Sequence, residues 1–79
     1  MKPLRKPVML ELTLRGDYIE LDKLLKAMGL VESGGRARML IAAGEVQVDG
    51  QVELRKTAKI RAGQVVGFGS QQVRVIAPA

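Results

Sequence analysis

Residues 33–50, SGGRARMLIAAGEVQVDG, decide the fold, because a helix, a strand and a tight turn follow one another there without a linker. Ser33 is a residue type that caps the start of a helix, and Gly44 permits the left-handed backbone on which a helix ends. Between them, Ala37, Leu40 and Ile41 recur at helical spacing and predict a short helix with one apolar face.

The segment after this helix predicts a β-hairpin. Asp49 and Gly50 stand between alternating apolar residues, and an Asp-Gly pair in that setting is a strong hairpin signal. A strict two-residue loop would mix apolar and polar positions on one face. We therefore favour a three-residue loop, residues 48–50, which pairs Val46 with Val52.

A further helix and three strands surround this unit. Leu21, Leu24, Leu25 and Met28 recur at the spacing of one helix face, and Gly29 supplies a stop. Only three residues separate this stop from the cap of the next helix, so the two helices must pack together. Period-two alternation predicts strands over residues 8–14, 65–68 and 72–76.

The chain is strongly basic. It has 13 Lys and Arg against 8 Asp and Glu, a formal net charge of +5 and a pI of about 10.1. Such an excess favours a polyanionic partner, which is RNA, DNA or an anionic membrane surface, although it also fits a small domain that is merely well solvated. The positive charge concentrates in the N-terminal arm, in the second helix and in residues 55–61, RKTAKIR.

Residue types that the chain lacks exclude several kinds of chemistry. It has no cysteine and no histidine, which removes disulfides, thiolate and imidazole metal ligands, and catalytic groups of both types. The Asp, Glu, Lys and Ser residues form no recognisable catalytic cluster. We therefore expect no enzyme, no catalytic residue, no metal and no cofactor.

The same sequence predicts a protein without membrane association. No apolar run approaches the roughly 20 residues of a membrane span, and the first 14 residues lack the apolar core of a secretory leader. We expect a cytoplasmic monomer.

Candidate binding residues cluster at the start of the second helix. Arg36 and Arg38 lie on opposite flanks of its apolar stripe and can both reach solvent. Gly34 and Gly35 favour close approach of a phosphate to free backbone N–H groups; the alternative is a loose first turn. The run at residues 55–61 would lie near the two arginines if the hairpin folds back on the helix, and is otherwise a solvated surface.

The order of these motifs resembles the S4 domain, also called the alpha-L RNA-binding motif. The resemblance rests on LDKLL at residues 21–25, on Ser33 followed by RAR at residues 36–38, and on VQVDG at residues 46–50. It covers residues 17–76, and the fuller string looks like the small stand-alone bacterial branch, the YbcJ-like proteins.

This resemblance implies an α+β fold, with two short packed helices on a small bent antiparallel sheet. It implies binding of structured RNA, such as ribosomal or transfer RNA, through basic residues on the second helix and beside the hairpin. The RNA-binding residues carried over by position, with Ser33 as the cap and Lys26 extending the patch, are Ser33, Gly34, Gly35, Arg36, Arg38, Arg55, Lys56, Lys59 and Lys26. Glu20 departs from the family, because many members have a basic residue just before the Leu-Asp pair.

We accordingly divide the chain into a mobile basic arm (residues 1–7), a single RNA-binding domain (residues 8–76) and a tail (residues 77–79). The chain has one tyrosine, one phenylalanine and no tryptophan, too few rings for a platform on which several bases stack. We expect Phe68 in the core, Tyr18 over the first helix, and recognition led by phosphate contacts and RNA shape.

Two alternatives remain open. One is a protein-interaction module in ribosome assembly that uses the outward face of Met39 and Ala42. The other is an accessory domain that works in trans with an RNA-modifying enzyme. The partners considered are therefore RNA, ribosomal particles and an RNA-modifying enzyme.

Overall fold

The computed structural model describes residues 8–78, so the predicted arm and the last residue of the tail lie outside the described residues. The elements, in chain order, are β1 (Val8–Thr13), β2 (Ile19–Glu20), α1 (Leu21–Ala27), α2 (Gly34–Ala42), β3 (Val46–Val48), β4 (Gln51–Val52), β5 (Lys59–Ile60), β6 (Val65–Phe68) and β7 (Gln71–Ile76). The division into arm, domain and tail stays a prediction.

Five strands form the main sheet, in the order β1-β7-β6-β3-β4. The predicted α+β class is confirmed, but the sheet is mixed rather than wholly antiparallel, because β1 runs parallel to β7. The other neighbouring strands are antiparallel. Alternation of apolar residues reveals a strand but not its partner, so the parallel pair was not visible in the sequence.

A separate two-stranded ribbon lies beside the start of α1. Its strands β2 and β5 are antiparallel, with Ile19 opposite Ile60 and Glu20 opposite Lys59. The backbone N–H groups of Leu21 and Asp22 donate to the carbonyl oxygens of Ala58 and Lys56, both shortly before β5, at 2.9 and 3.1 Å. These bonds satisfy the first turn of α1, which has no side-chain cap.

Both helices form where the spacing predicts them, and each buries most of its predicted apolar face. In α2 the Ser33 hydroxyl accepts a hydrogen bond from the N–H of Arg36 at 3.1 Å, which is the predicted cap. Ala37 and Ile41 are fully buried, whereas Leu40 is only half-buried. Gly44 follows the helix in left-handed backbone, with φ of +81°.

One contiguous apolar core joins the helices to both sheets. Phe68, which we expected in the core, is half-buried and packs against the edge of the core. The buried apolar residues are Leu14, Leu21, Leu24, Leu25, Ala37, Ile41, Val46, Ala58, Ile60, Val66, Val73 and Val75. Most of them come from α1, α2 and the inner strands, so removal of either helix would expose the sheet.

The hairpin corrects our predicted loop. Val48 pairs with Gln51, so the loop has two residues, Asp49 and Gly50, and the expected three-residue loop is wrong. Both loop residues have positive φ, +52° and +84°, which suits the tight turn that matches the twist of the strands. The consequence is that Val52 is 54% exposed.

Contacts to β6 hold the turn in place. The carboxylate of Asp49 accepts a hydrogen bond from the N–H of Val65 at 2.9 Å, and the N–H of Asp49 donates to the Val65 carbonyl oxygen at 2.8 Å. The turn is therefore attached to β6 through both the backbone and the side chain of Asp49.

Replacing Asp49 tests this account. Asp49→Ala should lower the free energy of unfolding by about 1–3 kcal/mol, since it loses the bond to Val65 and places an alanine in left-handed backbone. Asp49→Asn keeps an acceptor and tolerates that backbone, so it should cost less. Urea unfolding measures both; equal losses for the two variants would contradict the role of the carboxylate.

Candidate nucleic-acid interface

Two segments that carry predicted RNA-binding residues, α2 and residues 55–61, contact α1 at Asp22, in the first turn of that helix. Its carboxylate is almost fully buried and accepts hydrogen bonds from the N–H of Lys23 at 2.8 Å and from Nη1 of Arg38 at 3.2 Å. Its own backbone N–H donates to the carbonyl oxygen of Lys56 at 3.1 Å. Asp22 therefore attaches α2 and the segment after the hairpin to the same helix turn.

Arg38 owes its position partly to the paired glycines. A Cβ built on Gly34 would lie 3.3 Å from Nη1 of Arg38, and one on Gly35 would lie 4.0 Å from its Nη2. The guanidinium therefore lies over the first turn of α2, and Gly34 leaves it room. Our sequence-based interpretation of this pair, close approach by a phosphate, stays a prediction.

The predicted cations divide into two groups. Arg38 and Arg55 each form an ion pair, with Asp22 and Glu53 respectively. The others are exposed and have no carboxylate of a described residue within 4.0 Å. These others, the free cations, are Lys26, Arg36, Lys56 and Lys59.

The pair between Arg55 and Glu53 is bidentate. Nε and Nη2 of Arg55 donate to the two carboxylate oxygens at 2.9 and 3.0 Å, and the N–H of Arg55 adds a third bond at 3.0 Å. The side-chain hydrogen bond from Arg55, reinforced by its backbone N–H, lowers the pKa of Glu53 to about 2. The pair thus orients the Arg55 side chain, which is 79% exposed, and offsets part of its charge.

A shallow, basic depression follows this pair along the chain. It has a volume of about 420 Å³ and is lined by Arg55, Thr57, Ala58 and Lys59. With Lys56 held at Asp22, the cations after the hairpin and those of α2 lie on segments joined at one point. The structure therefore joins the two predicted parts of the basic surface, α2 and residues 55–61. No contact among the described residues brings Lys26, in the last turn of α1, to either part.

The outer face of the β2–β5 ribbon carries Tyr18 and Arg61, which our predicted site did not include, beside the predicted Lys59. Nζ of Lys59 lies 5.2 Å from the centre of the Tyr18 ring, and Cζ of Arg61 lies 5.6 Å from it. Tyr18 thus lies across the ribbon against β5 and its next residue, and is 43% exposed. The alternation of Lys59 and Arg61 around buried Ile60 was the available signal.

Other kinds of site find no support in the part of the chain that the structure describes. No group of three His, Cys, Asp or Glu side chains there could hold a metal ion. Neither described helix has the length and apolar character that crossing a membrane requires.

The pair of Asp22 and Arg38 should contribute to stability. Arg38→Gln should lower the free energy of unfolding by about 1–3 kcal/mol, because the variant leaves the buried Asp22 carboxylate without its cation. Water replaces the lost guanidinium only in part. Arg36→Gln, the matched control two residues away, should stay within about 0.5 kcal/mol of the wild type. Equal effects of the two variants in urea unfolding would rule out the pair as a stabilising contact.

The pair of Glu53 and Arg55 should be visible in a pH titration. The pKa of Glu53 is lowered to about 2 from an ordinary 4.5, so its stabilising effect is present above the ordinary value and is lost as the pH falls through about 2. Arg55→Gln should move the midpoint of the Glu53 carboxyl signal in NMR up toward the ordinary value. Arg61→Gln should leave it unchanged, and an unmoved midpoint in Arg55→Gln would contradict the pair.

Known proteins share both the sequence and the fold of this chain. Residues 12–76 match the family model described as the S4 domain. YbcJ of Escherichia coli (strain K12), a candidate RNA-binding protein, is 52% identical over 60 residues, which are 76% of this chain and 86% of YbcJ. RlbA of Bacillus subtilis (strain 168), a candidate ribosome maturation protein, is 37% identical over 60 residues, 72% of this chain and 84% of RlbA.

The likeness extends to three dimensions. The solution structure of Escherichia coli YbcJ superimposes with a TM-score of 0.65 at 42% identity, and the match covers 98% of this chain and 96% of YbcJ. That structure is described as revealing an alfaL motif involved in RNA binding. The match over most of the chain confirms the predicted resemblance, and the chain belongs to the S4 domain family.

Proposed function

We propose that this protein binds structured RNA through phosphate contacts from α2 and from the segment after the hairpin. The observation that carries the proposal is the junction at Asp22, which holds Arg38 of α2 and the backbone of Lys56 on one helix turn. Neither α2 nor residues 54–61 contain an acidic residue, so the joined segments keep a net positive charge after Arg38 and Arg55 pair with Asp22 and Glu53. Positive surfaces of this kind bind the phosphates of nucleic acids.

The two groups of cations have different roles in this proposal. Arg36, Lys56 and Lys59 are free to neutralise phosphates, and they supply the salt-sensitive part of the affinity. Arg38 and Arg55 are held by carboxylates and serve mainly as positioned hydrogen-bond donors, because a guanidinium has five N–H groups and its partner occupies only some of them. Ser33, Gly34 and Gly35 shape the helix start over which Arg38 lies.

Ribosomal or transfer RNA is the proposed ligand class. A surface of cations on a rigid core suits folded RNA, which proteins recognise mainly by backbone and shape. The names of two relatives support this choice, since one is a candidate RNA-binding protein and the other a candidate ribosome maturation protein. We accordingly propose a role in ribosome maturation.

A second candidate is a protein contact during ribosome assembly. Met39 is 63% exposed on the outward face of α2, beside exposed Ala42. An apolar partner could cover that face. In this case Met39→Ser should weaken binding to nuclease-treated ribosomal particles, whereas Arg36→Gln should not.

Salt dependence tests the RNA proposal. For purified ribosomal RNA, each lost phosphate contact should reduce the slope of log affinity against log salt by about 0.7–0.9. The triple variant Arg36→Gln, Lys56→Gln, Lys59→Gln should therefore reduce the magnitude of the slope by about 2–3. Fluorescence anisotropy over a salt series measures this.

A single pair of variants controls for charge. Arg36→Gln and Arg74→Gln each remove one exposed arginine, but Arg74 lies on β7 in the main sheet. Only Arg36→Gln should reduce the slope. Identical slopes for the wild type and the triple variant would refute the proposed surface.

A further inference from the structure

Tyr18 occupies an unusual position for the one tyrosine of a basic domain. It precedes β2, and the pairing of Ile19 with Ile60 places it across from Arg61. Its ring lies 5.2 Å from Nζ of Lys59 and 5.6 Å from Cζ of Arg61, both at cation–π distance. These contacts orient the ring while 43% of the residue stays exposed.

A depression opens beside this ring. Its volume is about 480 Å³, and its lining includes Leu12, Ile19 and Ala27 with Tyr18 and the cation Arg15. This volume is within the range of sites that accept small planar ligands, which combine apolar walls with a few polar groups. A second depression, lined in part by Tyr18 and Lys23, adjoins the ring as well.

We propose that Tyr18 stacks against one unpaired base of the bound RNA, and that this base enters the depression between Tyr18 and β1. The inference rests on the proposed RNA-binding function and adds to it a site that binds an unpaired base in preference to a paired one. An exposed ring offers a π-face to any of the four bases, so stacking there is tolerant of sequence.

Charge around the ring fits a nucleotide in particular. Lys59 and Arg61 lie against the ring and Arg15 lines the depression, and such cations suit the phosphates on either side of a splayed base. The neighbouring acid on the ribbon, Glu20, is paired with Lys23 at 2.8 Å and so repels phosphate less. An apolar peptide would gain nothing from these cations.

Lys59 connects this site to the surface proposed above. It contacts the ring of Tyr18 and also lines the basic depression that begins at Arg55. An RNA backbone that follows the cations from α2 past Arg55 therefore arrives at Tyr18. The preferred ligand is a duplex interrupted by a bulge or a loop, rather than a continuous duplex.

Intrinsic fluorescence tests the site directly. The chain has one tyrosine and no tryptophan, so its tyrosine emission reports Tyr18 alone. The probes are an RNA hairpin with one bulged adenosine and the same hairpin without the bulge, each at saturating concentration and corrected for RNA absorption. The bulged hairpin should quench the emission strongly, and the paired hairpin should not.

Variants supply the second measurement. Tyr18→Leu should weaken binding of the bulged hairpin by about 5- to 140-fold, the range expected for loss of one stacked base, and leave the paired hairpin nearly unaffected. Tyr18→Phe keeps a ring and should retain the preference for the bulge. Met9→Ala, at a residue that is also 43% exposed, is the matched control and should change neither affinity.

The outcomes separate this inference from the proposed function. If the wild type binds both hairpins with equal quenching, or Tyr18→Leu keeps the preference for the bulge, the stacking site is refuted and the phosphate surface stands. If the wild type binds neither hairpin at low salt, the proposed function fails and the inference falls with it. The fluorescence of the wild type decides the matter even if Tyr18→Leu does not fold.

Discussion

The carboxylate of Asp22 is the constraint on which the surface depends. A buried charge needs a cation and hydrogen bonds, and the first turn of α1 offers only the N–H of Lys23. Arg38 supplies the rest from α2, 16 residues away along the chain. Because α2 is rigid, the position of Arg38 also sets that of Arg36. The geometry of the candidate RNA surface thus follows from the need to satisfy one acid in the fold.

Local features of the structure were predictable from sequence, and partners distant in sequence were not. The spacing of Leu21, Leu24 and Leu25 predicted α1, and Ser33 predicted the start of α2, because both signals depend on residues within two turns. The parallel pairing of β1 with β7 and the small ribbon of β2 and β5 join segments about 40 to 60 residues apart. The alternation of apolar residues along a strand does not predict which distant strand it pairs with.

The basic residues of the candidate site could be identified in the sequence, but which of them pair with an acid is known only from the fold. Arg36 and Arg38 look alike in the sequence RAR, yet one is free and the other is paired with a buried acid. Likewise, two aromatic residues are too few to build a platform on which several bases stack. A single oriented ring required the ribbon, because only the crossing of β2 over β5 brings Tyr18 to Lys59 and Arg61.

The separation of paired from free cations has a consequence for how such a surface responds to salt. Screening weakens interactions between exposed charges strongly and those of buried or partly buried pairs much less. The buried carboxylate of Asp22 therefore keeps Arg38, and with it the arrangement of α2, at salt concentrations that weaken the phosphate contacts proposed for Arg36 and Lys59. Affinity should then vary with ionic strength while the shape of the surface does not. Under the proposed function, such a domain would release RNA in high salt and would bind it again without refolding.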